Sequence, residues 1–163
     1  REKFGSFSGL KMCFIGDGNN MANSLIVGGL KVGMNVAVAT PDGYKPDGAV
    51  LEFTKAYGDK FALESDPFMA AAGADIVITD TWTSMGEEAE KEERKKIFKD
   101  YQINKQLLAA ANAGAMVQHC LPAYRGQEIT EEVFEEHADE IFNEAENRLH
   151  AQKAVMVKLM KKD

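Results

Sequence analysis

The sequence predicts a three-layer α/β/α domain around a mainly parallel sheet, and three observations carry that prediction. Short apolar runs rich in β-branched residues alternate with segments whose apolar residues recur at helical spacing, along the whole chain. Residues 74–79 are continuously small or apolar apart from Asp75 and Thr79, as in a strand buried on both faces. Directly after them comes Asp80-Thr81-Trp82-Thr83-Ser84-Met85-Gly86, a polar and aromatic cluster at the carboxyl end of a strand, where open α/β sheets place their ligands.

The elements follow in order. Lys11–Ile15 is a strand ended by the tight turn Gly16-Asp17-Gly18. Residues 21–31 form a helix with Met21, Leu25, Ile26 and Leu30 on one face, and Gly33 stops it. Asn35–Ala39 is the second strand, and Thr40-Pro41-Asp42-Gly43 a turn. Pro46 is placed in the first turn of a helix carrying Val50, Leu51, Phe53 and Tyr57. Residues 61–63 make a short strand, and Asp66-Pro67 cap and open the helix that follows. Residues 87–99 are highly charged; the acid-first pairs Glu87–Lys91, Glu90–Arg94 and Glu92–Lys96 read as a solvated helix face. Asn104 caps a helix through Leu107 and Leu108. Residues 115–118 are the last strand and deliver His119-Cys120-Leu121-Pro122 to the sheet edge that carries Asp80. Thr130, with Glu131 and Glu132, opens another helix, and residues 149–160 form a final helix with a broad apolar stripe.

Composition narrows the function classes. With 163 residues, 45% of them apolar and 28% charged, the chain is one globular domain with room for a real core. A net charge of −7 without a basic stripe argues against a nucleic-acid surface. No apolar run approaches the roughly 18–20 residues that span a bilayer. Cys13 and Cys120 lie far apart and offer neither a disulfide framework nor a zinc pattern, which points to a reduced, cytoplasmic setting. Residues 1–9 read as a linker entering the domain.

Several stretches could carry chemistry. Gly16-Asp17-Gly18-Asn19-Asn20-Met21 departs from the dinucleotide fingerprint because Met21 stands where the third glycine should be, and no acidic residue ends the second strand. The successive amides at this helix start suit a carboxylate or zwitterion, unless Asn19 or Asn20 simply caps the helix. Asp80 and Ser84 are open to the same capping reading. His119 and Cys120 are neighbours on an extended segment, so their side chains diverge and do not pair directly. Cys13 reads as a core residue, and His137 and His150 as surface residues.

Four motifs occur in order: Asp17-Gly18-Asn19-Asn20; Asp80-Thr81-Trp82 with Ser84-Met85-Gly86; His119-Cys120-Leu121-Pro122; and Glu144-Ala145-Glu146-Asn147-Arg148. Together they resemble the carboxyl-terminal, ornithine-binding half of the ornithine carbamoyltransferases, over nearly the whole chain. The resemblance implies a Rossmann-like fold of the carbamoyltransferase type and transfer of a carbamoyl group from carbamoyl phosphate to the δ-amine of L-ornithine, giving citrulline. It implies that Asn20, Asp80, Ser84 and Met85 hold the amino-acid end of ornithine, and that Cys120 and Leu121 lie beside the reacting amine and carbamoyl group. Asp80 with Cys120 would orient the amine and ease its deprotonation, while His119 and Arg148 would contact the carbamoyl oxygen. It further implies a cis peptide at Leu121-Pro122, no metal and no organic cofactor. The partner it implies is a missing amino-terminal, carbamoyl-phosphate-binding half, to which residues 149–163 would cross from an ornithine domain of residues 10–148. The parent enzyme would be a homotrimer or larger, and the isolated chain inactive. The rival readings are a free-standing amino-acid-binding module and half of a putrescine-type carbamoyltransferase.

Overall fold

The computed structural model describes residues 1–83 and 90–161. Among these residues the chain forms five strands, β1 (Lys11–Ile15), β2 (Asn35–Ala39), β3 (Phe61–Glu64), β4 (Ile76–Thr79) and β5 (Met116–His119), all parallel. Their order across the sheet is β3-β2-β1-β4-β5, so the connections reverse direction between β1 and β4. The helices are α1 (Asn20–Lys31), α2 (Gly48–Thr54), α3 (Pro67–Ala71), α4 (Lys91–Phe98), α5 (Lys105–Leu108), α6 (Glu131–Glu136) and α7 (Ala138–Met160).

The predicted layering holds because residues alternate across each strand. On β1, Met12 and Phe14 face α1 with Ile26, Leu30, Val36 and Ile78. Cys13 and Ile15 face the opposite layer, with Ala70, Val77, Leu107, Val117 and Ile141. The α1 helix buries Ala22, Ile26, Gly29 and Leu30, with Met21 and Leu25 packed at its edge. It lies close to the sheet: a Cβ on Gly29 would stand 2.8 Å from both Met12 and Val36.

Local signals set most boundaries. Asn19, Asp66, Asn104 and Thr130 cap α1, α3, α5 and α6 through their side chains. Pro46 lies outside α2, because Asp47 takes the cap by accepting from the Ala49 N–H, and the chain tightens to a 3₁₀ turn at Lys55–Lys60 before Tyr57 completes the expected face. The last helix is longer than the sequence suggested. It runs without interruption from Ala138, so position 148/149 falls inside α7. Residues 1–9 are tied down in part, by a Lys3–Glu140 ion pair and by Phe4 against the α1-side core.

The charged segment departs most from its reading as a solvated face. Arg94 is 4% exposed. Its guanidinium pairs with Asp17 and donates to the Trp82 carbonyl, and Glu90 lies 3.7 Å away. Glu92 pairs with Lys95 at 2.8 Å rather than with Lys96. Glu87 lies outside the described residues.

Candidate functional site

Thr79 and His119 are register partners on the adjacent strands β4 and β5. The next residue on each, Asp80 and Cys120, therefore leaves the sheet together, and the Cys120 thiol donates to Asp80 Oδ1 at 3.2 Å. The same oxygen accepts the Thr81 N–H at 2.8 Å, while Asp80 Oδ2 has no hydrogen bond among the described residues. These two residues open into a pocket of about 740 Å³ at the carboxyl edge of the sheet, walled also by Asn20, Leu121, Glu144 and Arg148. One sheet edge thus collects residues from the β1–α1 junction, β4, β5 and α7.

The electrostatics of the pocket favour a cation beside Asp80 and a neutral thiol. Burial, reinforced by the Asp80 charge and hydrogen bond, pushes the Cys120 thiol up to about 12. Burial also raises the Glu144 carboxyl, with Asp80 adding to the effect and His119 opposing it. One Glu144 oxygen is buried without a partner among the described residues. Arg148 is exposed at the rim with no ion pair among the described residues, which leaves its guanidinium available to an oxygen of a bound molecule.

His119 lies behind the pocket wall, next to Cys120 in the chain. It is fully buried and does not wall the pocket. The Leu121 N–H donates to Nδ1 at 3.0 Å, which puts the ring proton on Nε2, facing Glu128 Oε1 at 3.1 Å. Both ring nitrogens thus face groups of the protein, and through Nδ1 the ring holds the N–H of Leu121, whose peptide bond to Pro122 is cis, as expected. Sequence reasoning missed Glu128, which is fully buried behind His119 and also accepts the Tyr124 N–H. A glutamate four residues from Tyr124 in a turn carries no local signal of that burial.

Of the two readings open at the start of α1, capping is the one the structure shows. The Met21 and Ala22 N–H groups both donate to the Asn19 side chain, at 2.9 and 3.4 Å, so they are not available to a carboxylate. Asn19 is the cap, and Asn20 is left exposed on the pocket wall. Trp82, from the most conspicuous motif, belongs to the core, stacked on Phe98 with centroids 6.0 Å apart. Ser84 and Met85 lie outside the described residues. Asp80, His119 and Cys120 bring one donor atom each within 4.8 Å of one another. For a metal these donors are poorly disposed, because His119 Nδ1 already accepts a backbone N–H and the thiol keeps its proton.

Comparison with known proteins identifies the family. A family model described as "Aspartate/ornithine carbamoyltransferase, Asp/Orn binding domain" matches residues 8–159. The chain is 55% identical to an ornithine carbamoyltransferase of Gloeobacter violaceus over 98% of this chain and 52% of that protein. It is 49% identical to one of Thermococcus kodakarensis, over 98% and 52%. The solved ornithine carbamoyltransferase from Pyrococcus furiosus superposes with a TM-score of 0.87 at 47% identity, covering 96% of this chain and 51% of that one. The chain spans about half the length of the curated relatives it matches. Its sequence, sheet and match over residues 8–159 make it a member of the aspartate/ornithine carbamoyltransferase family, in that family's Asp/Orn-binding domain.

Proposed function

We propose that this chain is the ornithine-binding half of an ornithine carbamoyltransferase, which transfers the carbamoyl group of carbamoyl phosphate to L-ornithine, and that it does not catalyse the transfer alone. The observation that carries the reading is the Asp80–Cys120 pair on the pocket wall, where Asp80 Oδ2 has no hydrogen bond among the described residues. A carboxylate with one free oxygen at a half-buried wall suits an ammonium. Beside it, a thiol that keeps its proton is no nucleophile at neutral pH; it serves as a donor that fixes Asp80 Oδ1.

In this reading Asn20 and Asp80, with Ser84 and Met85, hold the α-amino acid end of ornithine. The δ-amine lies near Cys120 and Leu121 and, once it has lost its proton, attacks the carbamoyl carbon; the tetrahedral intermediate then collapses by breaking the C–O bond to phosphate, which leaves with the carbamoyl group now on the amine. As the carbamoyl oxygen gains negative charge, Arg148 stabilises it. His119 and Glu128 hold the Leu121 turn in place behind them. Carbamoyl phosphate is bound by an amino-terminal half, and the parent enzyme is a cytoplasmic homotrimer or larger assembly. Without that half neither reactant is held against the other, and enforced proximity can be worth ~7–11 kcal/mol.

Calorimetric titration with L-ornithine, putrescine and L-aspartate tests the substrate. Binding of ornithine in preference to the other two is expected, and preference for putrescine would move the chain to the putrescine-type reading. Citrulline formation tests the second part. None is expected from the chain supplied with both substrates, and turnover that disappears in Cys120→Ala would overturn the claim of inactivity.

A further inference from the structure

Arg94 bridges loops that leave the sheet where its connections reverse. Its Nε donates to the Trp82 carbonyl, just beyond β4, and its Nη2 pairs with Asp17, just beyond β1. The guanidinium also lies over the Tyr44 ring, beyond β2, at 4.9 Å, and over Phe98 of its own helix at 5.4 Å. Loops leaving three adjacent strands therefore converge on one buried cation, at the point where doubly wound folds ordinarily receive a ligand. Asp17 stands three residues before Asn20, and Trp82 two residues after Asp80, so the two loops joined by Arg94 are the ones that present these side chains to the pocket.

We propose that Arg94 is a positioning residue that fixes the separation of Asn20 and Asp80, and through it the affinity of the pocket for an α-amino acid held at both ends. The proposal rests on the ornithine reading above for its ligand, but not for its geometry. The side chain has to be arginine. Donors must leave one planar group in two directions, towards a carbonyl and a carboxylate, while its face stacks on aromatic rings, and a lysine ammonium supplies a point charge without that fork or that face.

The test compares the wild-type chain with R94K, D17N, the double variant, and R125Q as a control. Arg125 is likewise paired with glutamates and lies over an aromatic ring, Phe134, but it is remote from both loops in its contacts. Two quantities are read: the ligand-free ¹H–¹⁵N resonances of the Asn20 side-chain amide and the Thr81 backbone amide, and the Kd for L-ornithine by calorimetry. R94K and D17N are each expected to shift both resonances and to weaken ornithine binding at least tenfold. The double variant should be no weaker than R94K alone, since both changes break one link, and R125Q should leave both readouts unchanged. Unmoved resonances with a Kd within twofold of wild type in R94K or D17N would overturn the proposal, as would the same shifts in R125Q. Should R94K not fold, D17N, which alters one oxygen of a side chain at the edge of solvent, decides the matter. If the wild-type chain binds no ornithine, the substrate reading fails, while the Asn20 and Thr81 resonances still decide for or against Arg94.

Discussion

Cys120 and Glu144 both wall the pocket, their surroundings raise the pKa of each, and each change is measurable. The thiol loses its proton only near pH 12, because burial and the neighbouring Asp80 both disfavour the thiolate. Alkylation by iodoacetamide is therefore expected to be slow at pH 8 and to climb without a plateau up to pH 10, followed by mass spectrometry of the Cys120 peptide. A plateau near pH 8 would contradict this. Glu144 binds its proton more tightly in the fold than in the unfolded chain, where the value is 4.5. Its contribution to stability is then whole below that value and is lost as pH rises through the raised one. Glu144→Gln should accordingly gain on wild type in melting temperature between pH 4.5 and pH 7; a difference that stays constant with pH would contradict the assignment. At this scale the sequence was only partly legible. Asp80, Cys120 and Asn20 stand where a strand end or helix start puts them, and that is local information. The burial of His119, Glu128 and Arg94 depends on partners 9 to 77 residues away, which no local pattern encodes.

Among the elements, the β1–α1 junction is the one whose backbone has no room to adjust. The Gly18 N–H donates to the Tyr44 carbonyl at 2.8 Å. A Cβ at Gly18 would stand 2.4 Å from the Lys45 carbonyl carbon and the Pro46 nitrogen, atoms of backbone that cannot rotate away. Gly18→Ala is expected to destabilise the chain by about 1–3 kcal/mol, the usual range for overpacking, as read from denaturant midpoints. Stability within about 0.5 kcal/mol of wild type would show that the two loops can part, since changes that small are typical of substitutions away from packed sites. Helix starts were legible wherever a side chain caps its own helix, as at Asn19, Asp66, Asn104 and Thr130. Pro46 misled because proline at a helix start marks either side of the cap, and Asp47 was the better cap.

At the scale of the whole molecule, the alternating pattern made the sheet and its two covering layers readable, whereas the unbroken length of α7 was not. Only Ile141 on that helix is buried, and Leu149, Val155, Val157, Leu159 and Met160 are between 57% and 80% exposed. Contiguous apolar surface of this kind favours association. Sedimentation velocity should show a weight-average mass that rises with concentration and falls back towards the monomer in Val155→Glu/Leu159→Glu; a monomer at every concentration would contradict it. On the proposed reading, the edge pocket receives ornithine through residues gathered from four elements. Titrating L-ornithine into ¹⁵N-labelled chain and mapping the amide shifts tests it most directly. Saturable shifts are expected at Asn20, Thr81, Cys120, Leu121 and Arg148, and they should vanish in Asp80→Ala, which removes the carboxylate proposed to face the ammonium. Shifts centred elsewhere, or unchanged by Asp80→Ala, would contradict it.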